Sequence, residues 1–333
     1  MSSKNQPQAI GLDVGTSRVV TARPASDGYA YNEQLNAFVD LPWSNLTAGT
    51  LRKEGIPHAA DGSRIIVLGS ESARFADLLG IETRRSMLRG VLNPSEPEGL
   101  TQIRRLLEHV IGAPEGKNQK ICFSVPAAVP GGEENVTYHE ASLRQILGEI
   151  GYDARSISEG LAVVYAELES SNYSGIGISF GGGLCNICLA YLSVPVATFS
   201  VAKAGDFIDS SAAAATGELI NRIRLRKEEG FHFNGYVPDK TLQALSVYYD
   251  DMISTVVSQM RENFTSCGGA NRFKRPVPLV LSGGTALPAG FRERFEQQLK
   301  AADFPVPVSE VRLASDPLHT TAKGALIAVL SES

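Results

Sequence analysis

Two short stretches of this chain have the residue types needed to hold anions. Residues 10–20 read IGLDVGTSRVV and residues 176–186 read IGISFGGGLCN, so a buried-type strand, a glycine turn and a second strand occur twice. Gly15 lies in the first turn, and Gly181, Gly182 and Gly183 make the second. A turn without Cβ atoms lets backbone N–H groups point into a concavity and approach anionic oxygens closely, and so tight a reversal draws on glycine's freedom in φ. Two such turns facing each other point to a nucleotide cleft between two halves. Neither turn is a GxxxxGK[ST] loop, and neither is followed by the helix that a GxGxxG dinucleotide fingerprint requires. The two commonest phosphate-binding folds are thereby excluded.

The remaining reactive residue types offer little. Cys122, Cys185, Cys188 and Cys267 are too few and too scattered for a disulfide framework. Cys185 and Cys188 form a CxxC, but they sit in LCNICLAYL, which reads as a strand, where side chains three apart face opposite ways. They are expected as small core residues. A net charge of −5 and a pI of about 5.7 give no general attraction to nucleic acid or to anionic lipid. The first residues, MSSKNQPQAI, are polar, and no apolar run approaches the roughly 18 residues of a membrane span. No intrinsic membrane anchor is visible, and a soluble cytoplasmic protein is expected.

At 333 residues and 43% hydrophobic content, the chain can bury substantial cores and is better divided into two domains than one. AIGLDVG and SRVVTARP read as strands, and residues 28–63, with Pro42, Trp43 and Pro57, read as loop-rich and inserted. RIIVLGSES returns as a strand. Leu100, Ile103, Leu106, Leu107 and Val110 fall at helical spacing, KICFSVPAA follows as an apolar strand, and Val136, Leu143, Ile146, Leu147 and Ile150 mark another helix closed by Gly151. The second half repeats the order. GIGISF, LCNICLAYL and VPVATFSVA are strands, and a helix is expected from near Asp209 through Ile223. A long helix spans about Thr241 to Phe264, VPLVLSGG is a buried strand, and residues 290–300 are helical. Repeated β-rich units with crossover helices imply an α/β fold of two similar domains around a cleft.

These segments, in this order, resemble the actin and heat-shock-chaperone ATPase superfamily, and within it most closely the bacterial actins of the MreB and MamK type. GLDVGTSRVV resembles the first phosphate loop, ISFGGGLCN the second and VLSGGTALPAGF the adenosine motif. SEGLAVVYAELE resembles the first connecting helix, SDPLHTTAKGAL the second connection, ICFSVPAAVPGGEE the strand and loop before the catalytic helix, and RSMLRGVLNP the exit from the first small subdomain. The likeness covers nearly the whole chain. It implies an actin-like fold of two duplicated ribonuclease-H-like domains, residues 1–155 and 156–333, with small subdomains inserted at about 28–90 and 217–272.

The resemblance also assigns roles. Asp13 would hold the Mg²⁺ of ATP or ADP through water, with Gly15, Thr16 and Ser17 donating to phosphate. Gly181, Gly182 and Gly183, with Ser179 before them, would form the second phosphate turn. Gly283, Gly284 and Thr285 would pass close to adenine and ribose, although a plain strand-to-helix turn accounts for two glycines as well. Asp206 matches the family's "GD" at the cleft rim, where an isolated carboxylate otherwise simply favours a helix N-terminus. Glu133, seven residues after Pro126, stands where the family orients the attacking water; Glu134 is adjacent, and a solvated helix-end charge is the plain alternative.

Departures from the family pattern weaken the chemistry more than the binding. Where the family reads D-x-G-G-G-T, this chain has Ser179 and Leu184, so the second metal-side carboxylate and the threonine hydroxyl are absent from the loop. Loss of one positioned charge or donor removes on the order of 10²–10³ in rate. The usual acid-rich adenosine segment is replaced by the basic GELINRIRLRKEEG, with Glu218 and Arg224 as candidates to face the base. The expected function is an ATP-binding, filament-forming cytoskeletal protein with slow hydrolysis, self-associating and served by unknown adaptor proteins. A non-polymerising scaffold or regulatory ATPase of the same fold is the alternative. A chaperone-like protein is disfavoured by the lack of an appended substrate domain, and a sugar or acid kinase by the lack of a base for a small substrate.

Overall fold

The computed structural model describes residues 9–129, 133–233, 239–268, 273 and 275–331, with the side chains of Glu133 and Glu134 outside that description. Two five-stranded sheets carry the fold. The first runs β10 (Asp153–Ser158), β9 (Lys120–Val125), β1 (Ile10–Val14), β2 (Arg18–Ala25), β3 (Gly28–Leu35). The second runs β15 (Val308–Leu313), β14 (Val277–Ser282), β11 (Gly175–Phe180), β12 (Cys185–Tyr191), β13 (Val194–Val201). In each, three strands form an antiparallel meander and two more add in parallel beside its first strand. The duplication read from two glycine turns therefore extends to complete sheets. Every residue of β11 is buried, as a strand covered on both faces must be.

Residues 28–63 are less irregular than their composition predicts. Gly28–Leu35 pairs with β2 as the outer strand of the first sheet, so the small inserted unit begins at Phe38 rather than near residue 28. That unit is a sheet of β4 (Phe38–Pro42), β6 (Arg64–Leu68) and β5 (His58–Asp61), with α1 (Asn45–Lys53) and α2 (Ser70–Leu79) packed around Leu41, Leu51 and Ile65. The segment RIIVLGSES is strand only to Leu68 and helix from Ser70. Arg64 and Arg84 pair with Asp40, Glu96 and Glu98 and tie the unit to the start of α3 (Gly99–Ile111). A hairpin of β7 (Met87–Leu88) and β8 (Val91–Leu92) follows the small unit.

Among the described residues the remaining α-helices are α4 (Glu133–Ile150), α5 (Glu159–Glu167), α6 (Gly205–Thr216), α7 (Ile220–Gly230), α8 (Lys240–Ser266), α9 (Phe291–Ala301) and α10 (Thr320–Ser331). The helix expected from Asp209 through Ile223 is two helices. Gly217 adopts φ +80° and ends α6, a conformation that suits a residue without Cβ. In the second half, the long α8 packs Leu245, Tyr249, Met252 and Met260 into the same core as β11 and β14.

Two helices exchange places between the halves. α5 leaves the first sheet and packs Val163, Val164 and Leu168 against Cys188 and Val280 of the second. α10 leaves the second sheet and packs Ala322, Ala325 and Leu326 against Val20, Ala22 and Cys122 of the first. Their contacts are backbone-close: a Cβ at Gly324 would lie 1.9 Å from the Ala162 carbonyl, and one at Gly11 would lie 2.1 Å from the Ala322 carbonyl. Cys185 and Cys188 face opposite sides of β12, Cys185 in the main core of the second half and Cys188 in the α5 cluster.

Candidate functional site

The two glycine turns meet face to face. A Cβ on Gly182 would lie 2.1 Å from Ser17 Oγ, and one on Gly183 would lie 2.5 Å from Thr16 Oγ1. Each turn is internally closed by one bond: Gly15 N donates to the Arg18 carbonyl at 2.9 Å, and Gly181 N donates to the Leu184 carbonyl at 3.0 Å. The turns line a cavity of about 500 Å³ that runs between the halves to α7 and the segment after β14.

Beneath the turns sit two carboxyl groups, Glu159 buried and Asp13 partly so. Asp13, near the end of β1, accepts a hydrogen bond of 2.6 Å from Ser124 Oγ, and that oxygen in turn accepts Val14 N. Glu159, the first residue of α5, accepts from Ser179 Oγ at 3.1 Å and from the side-chain amide of Asn186. Burial, and after it the neighbouring Asp13, push the Glu159 carboxyl up to about 8 against the hydrogen bonds from Ser179 and Asn186. Burial likewise raises Asp13 to about 6, partly offset by the Ser124 hydroxyl. Two acids desolvated side by side resist holding two negative charges. The polar atoms these two acids meet are hydroxyl and amide, and the pair itself offers oxygen, a set that suits a hard divalent cation. Among the described residues no cluster of three metal-binding side chains occurs, so such a cation would draw most of its ligands from water and from a bound anion.

Glu159 was not singled out from the sequence, where the metal-side carboxylate is missing at Ser179. The loop does lack it, yet an acid from the first connecting helix reaches the same place and bonds to that serine. The acid that opens the helix of SEGLAVVYAELE was the available signal, since such a position is brought to the cleft by both sheets at once. Leu184, at the threonine position, is 4% exposed and lies against Gly90, where an added Cβ would come within 2.4 Å of Leu184 Cδ1.

The second turn is braced by its own half. The Gly181 carbonyl accepts Gly205 N at 3.1 Å and Thr285 Oγ1 at 2.8 Å, and the Gly182 carbonyl accepts Asp206 N at 2.7 Å. Gly283 adopts φ +89°, and a Cβ there would lie 2.2 Å from the Phe180 carbonyl, so only glycine fits. Gly283, Gly284, Thr285 and Asp206 all line the cavity. Glu218 does not: it is exposed at the α6–α7 turn because Gly217 swings the chain away, which corrects its expected place facing the base. Arg224 takes that wall instead. Glu133 opens α4, but its side chain lies outside the described residues.

The far end of the cavity sets aromatic and apolar side chains among charged ones. Phe231 and Tyr249 stack at 4.9 Å with an interplanar angle of 4°, and both line the cavity together with Leu287, Pro288 and Leu318. Burial holds the Tyr249 hydroxyl well above its ordinary pKa, with Asp209 raising it further. Lys227 and Asp209, 9% and 1% exposed, form an ion pair of 2.8 Å whose alignment falls short of a hydrogen bond. Arg224 adds a contact to Asp209 at 3.3 Å. The arrangement thus offers backbone amides and hydroxyls at one end, a carboxyl pair beneath, and an apolar slot with charged walls at the other. Those are the demands of a phosphorylated ligand with a planar ring.

Comparison with known proteins places the fold. A family model described as Volactin matches residues 8–329. A MamK double helical filament matches with a TM-score of 0.72 at 20% identity, covering 98% of this chain and 99% of that one. MreB5 of Spiroplasma citri bound to AMPPNP matches with a TM-score of 0.65 at 14% identity, over 98% of both chains. The ethanolamine utilization protein EutJ from Carboxydothermus hydrogenoformans matches with a TM-score of 0.56 at 15% identity, over 98% of this chain and 91% of that one. No curated protein matches the sequence. The fold is actin-like, as the sequence resemblance implied. No helix among the described residues is long and apolar enough to cross a membrane.

Proposed function

The chain belongs to the Volactin family, and on that premise we propose that it is an ATP-binding, actin-like cytoskeletal protein whose self-association into filaments follows the nucleotide in its cleft. The observation that carries the reading is the interlocked pair of glycine turns over the Asp13–Glu159 carboxyl pair. Gly15, Thr16, Ser17, Gly181, Gly182 and Gly183 hold the phosphates, and the slot by Phe231 and Tyr249 takes the purine. Asp13 and Glu159 would hold the Mg²⁺ that accompanies the phosphates, which would supply charge neutralisation there. Support comes from relatives of the same fold: one solved as a double helical filament and others bound to AMPPNP or ADP.

Hydrolysis in this reading is slow. Leu184 puts an apolar side chain where the family pattern has a hydroxyl. Glu133 remains the residue assigned to orient water, so Glu133→Ala lowers phosphate release while leaving nucleotide affinity within a few-fold. Calorimetric titration with ATP and ADP, with and without Mg²⁺, tests binding. Electron microscopy of the same samples tests assembly. Binding without polymers in any nucleotide or salt condition replaces the filament reading by that of a non-polymerising actin-fold scaffold, and no binding at millimolar nucleotide removes both.

A further inference from the structure

One charge pair bridges the halves across the mouth of the cleft. Arg85 lies in the first half, just before β7, and its Nη1 donates to both oxygens of Asp206, at 3.0 and 3.1 Å. Asp206 lies in the first turn of α6 in the second half. The two side chains are 18% and 28% exposed, so the pair is shielded well enough to count for more than a surface contact.

What gives the pair its reach is the way both ends are tied to the phosphate turns. From Arg85 the chain runs into the β7–β8 hairpin, whose tip, Arg89 and Gly90, adopts φ +50° and +79°. A non-glycine residue held in that region is strained, and the neighbours must hold it there. They do: Gly90 N donates to Thr16 Oγ1 at 2.9 Å, and a Cβ on Gly183 would lie 2.6 Å from Gly90 N. The hairpin tip is thus seated against both turns at once. At the other end, Asp206 N donates to the Gly182 carbonyl at 2.7 Å. A closed circuit results, from the first turn through the hairpin to Arg85, across to Asp206 and back to the second turn.

We propose that Arg85 is a positioning residue that latches the cleft shut by holding Asp206, so that it sets how fast a bound nucleotide leaves. The proposal rests on the ATP-binding reading above. Arg85 does not line the cavity whereas Asp206 does, so Arg85 acts through the carboxylate and not on the ligand. Arg224 is the other cation on Asp206, at 3.5 Å, but it belongs to the same half as Asp206 and closes nothing. Removal of Arg85 therefore leaves Asp206 paired and α6 folded while it opens the circuit.

The test is a double-mutant cycle of Arg85→Gln and Asp206→Asn, read in two ways. Hydrogen exchange of the nucleotide-free protein reports the amides of Gly205 and Asp206, and Arg85→Gln is expected to speed them about tenfold. Displacement of a fluorescent ATP analogue reports release, expected about tenfold faster in Arg85→Gln with little change in association, because affinity changes of this kind fall mainly on the off-rate. Asp206→Asn speeds release as well, adding Arg85→Gln to it changes nothing further, and Arg85→Lys recovers part of the loss. Wild-type exchange and release in Arg85→Gln, or independent addition of the two effects, overturns the latch. A wild-type protein that binds no nucleotide overturns the ATP reading instead, and the exchange measurement then decides the latch alone.

Discussion

Replacing Glu159 by glutamine keeps the shape of the buried side chain and an oxygen for Ser179 to donate to, while removing its charge. The carboxyl is raised from its ordinary 4.5 to about 8. Below pH 4.5 it is protonated in both the folded and unfolded chain and costs nothing. As pH rises the unfolded chain releases the proton while the folded one retains it up to about pH 8, so stability falls across that window and the loss is complete above it. Each pH unit crossed above 4.5 costs roughly 1.4 kcal/mol, so the loss at pH 7 is about 3 kcal/mol, and Asp13, which shares the cause, makes this an upper figure. Glu159→Gln removes the slope. The glutamine amide faces the donating amide of Asn186, which costs about 1 kcal/mol at every pH and leaves the slope untouched. Urea unfolding of metal-free, nucleotide-free protein at pH 5, 6, 7 and 8 is the assay. The variant should gain on the wild type by on the order of 3 kcal/mol between the ends of that series. Parallel profiles for the two proteins would refute the assignment of a buried, proton-holding Glu159.

Three further outcomes follow from the packing. His139 is fully buried with no hydrogen-bond partner among the described residues, and burial lowers it from 6.5 to about 4; stability therefore falls as pH drops through that interval, by about 3 kcal/mol in all, and His139→Leu should flatten the acid limb of the unfolding profile. Gly324→Ala forces a methyl to within 1.9 Å of the Ala162 carbonyl, so helices α5 and α10 must separate, and the thermal midpoint should drop by an amount equivalent to at least about 3 kcal/mol; an unchanged midpoint contradicts the close crossing. Lys227→Met keeps the stem but leaves Asp209, 1% exposed, with Arg224 as its remaining cation, which should cost about 3 kcal/mol in urea unfolding.

Elements with a one-sided apolar pattern were legible almost to the residue. The spacing over 98–110 corresponds to α3 at Gly99–Ile111, and that over Thr241–Phe264 to α8 at Lys240–Ser266. β3 was not legible, because GYAYNEQL is a half-exposed outer strand with no buried face to impose an alternation. The break at Gly217 was missed for a different reason: the alanine-rich run before it favours helix, and only the left-handed φ of one residue stops it. Within the site, Gly15 and Gly181 to Gly183 were visible because a tight turn leaves a local mark. Glu159 was not, because its partners Asp13, Ser179 and Asn186 reach it from strands of both sheets, and no spacing along one segment encodes that meeting. Glu218 was misplaced because the helix expected from Asp209 through Ile223 breaks at Gly217.

The crossing of α5 and α10 has a mechanical consequence. Where backbone touches backbone, at Gly324 of α10 against Ala162 of α5, and where α10 rests on Gly11 of β1 through Ala322, little side chain is left to change rotamer and let the helices slide. Such a contact resists translation more than a small turn, so the crossing would act as an axle and the two sheets as arms pinned to it. A displacement of a fraction of an ångström at the glycine turns then grows in proportion to distance from the pin. Parts far from the pin, such as helices α1 and α2 with the strongly exposed Leu46 and Leu78, would travel with the arm. In the proposed assembly, a neighbouring subunit touching such a tip would read the content of the cleft as an angle.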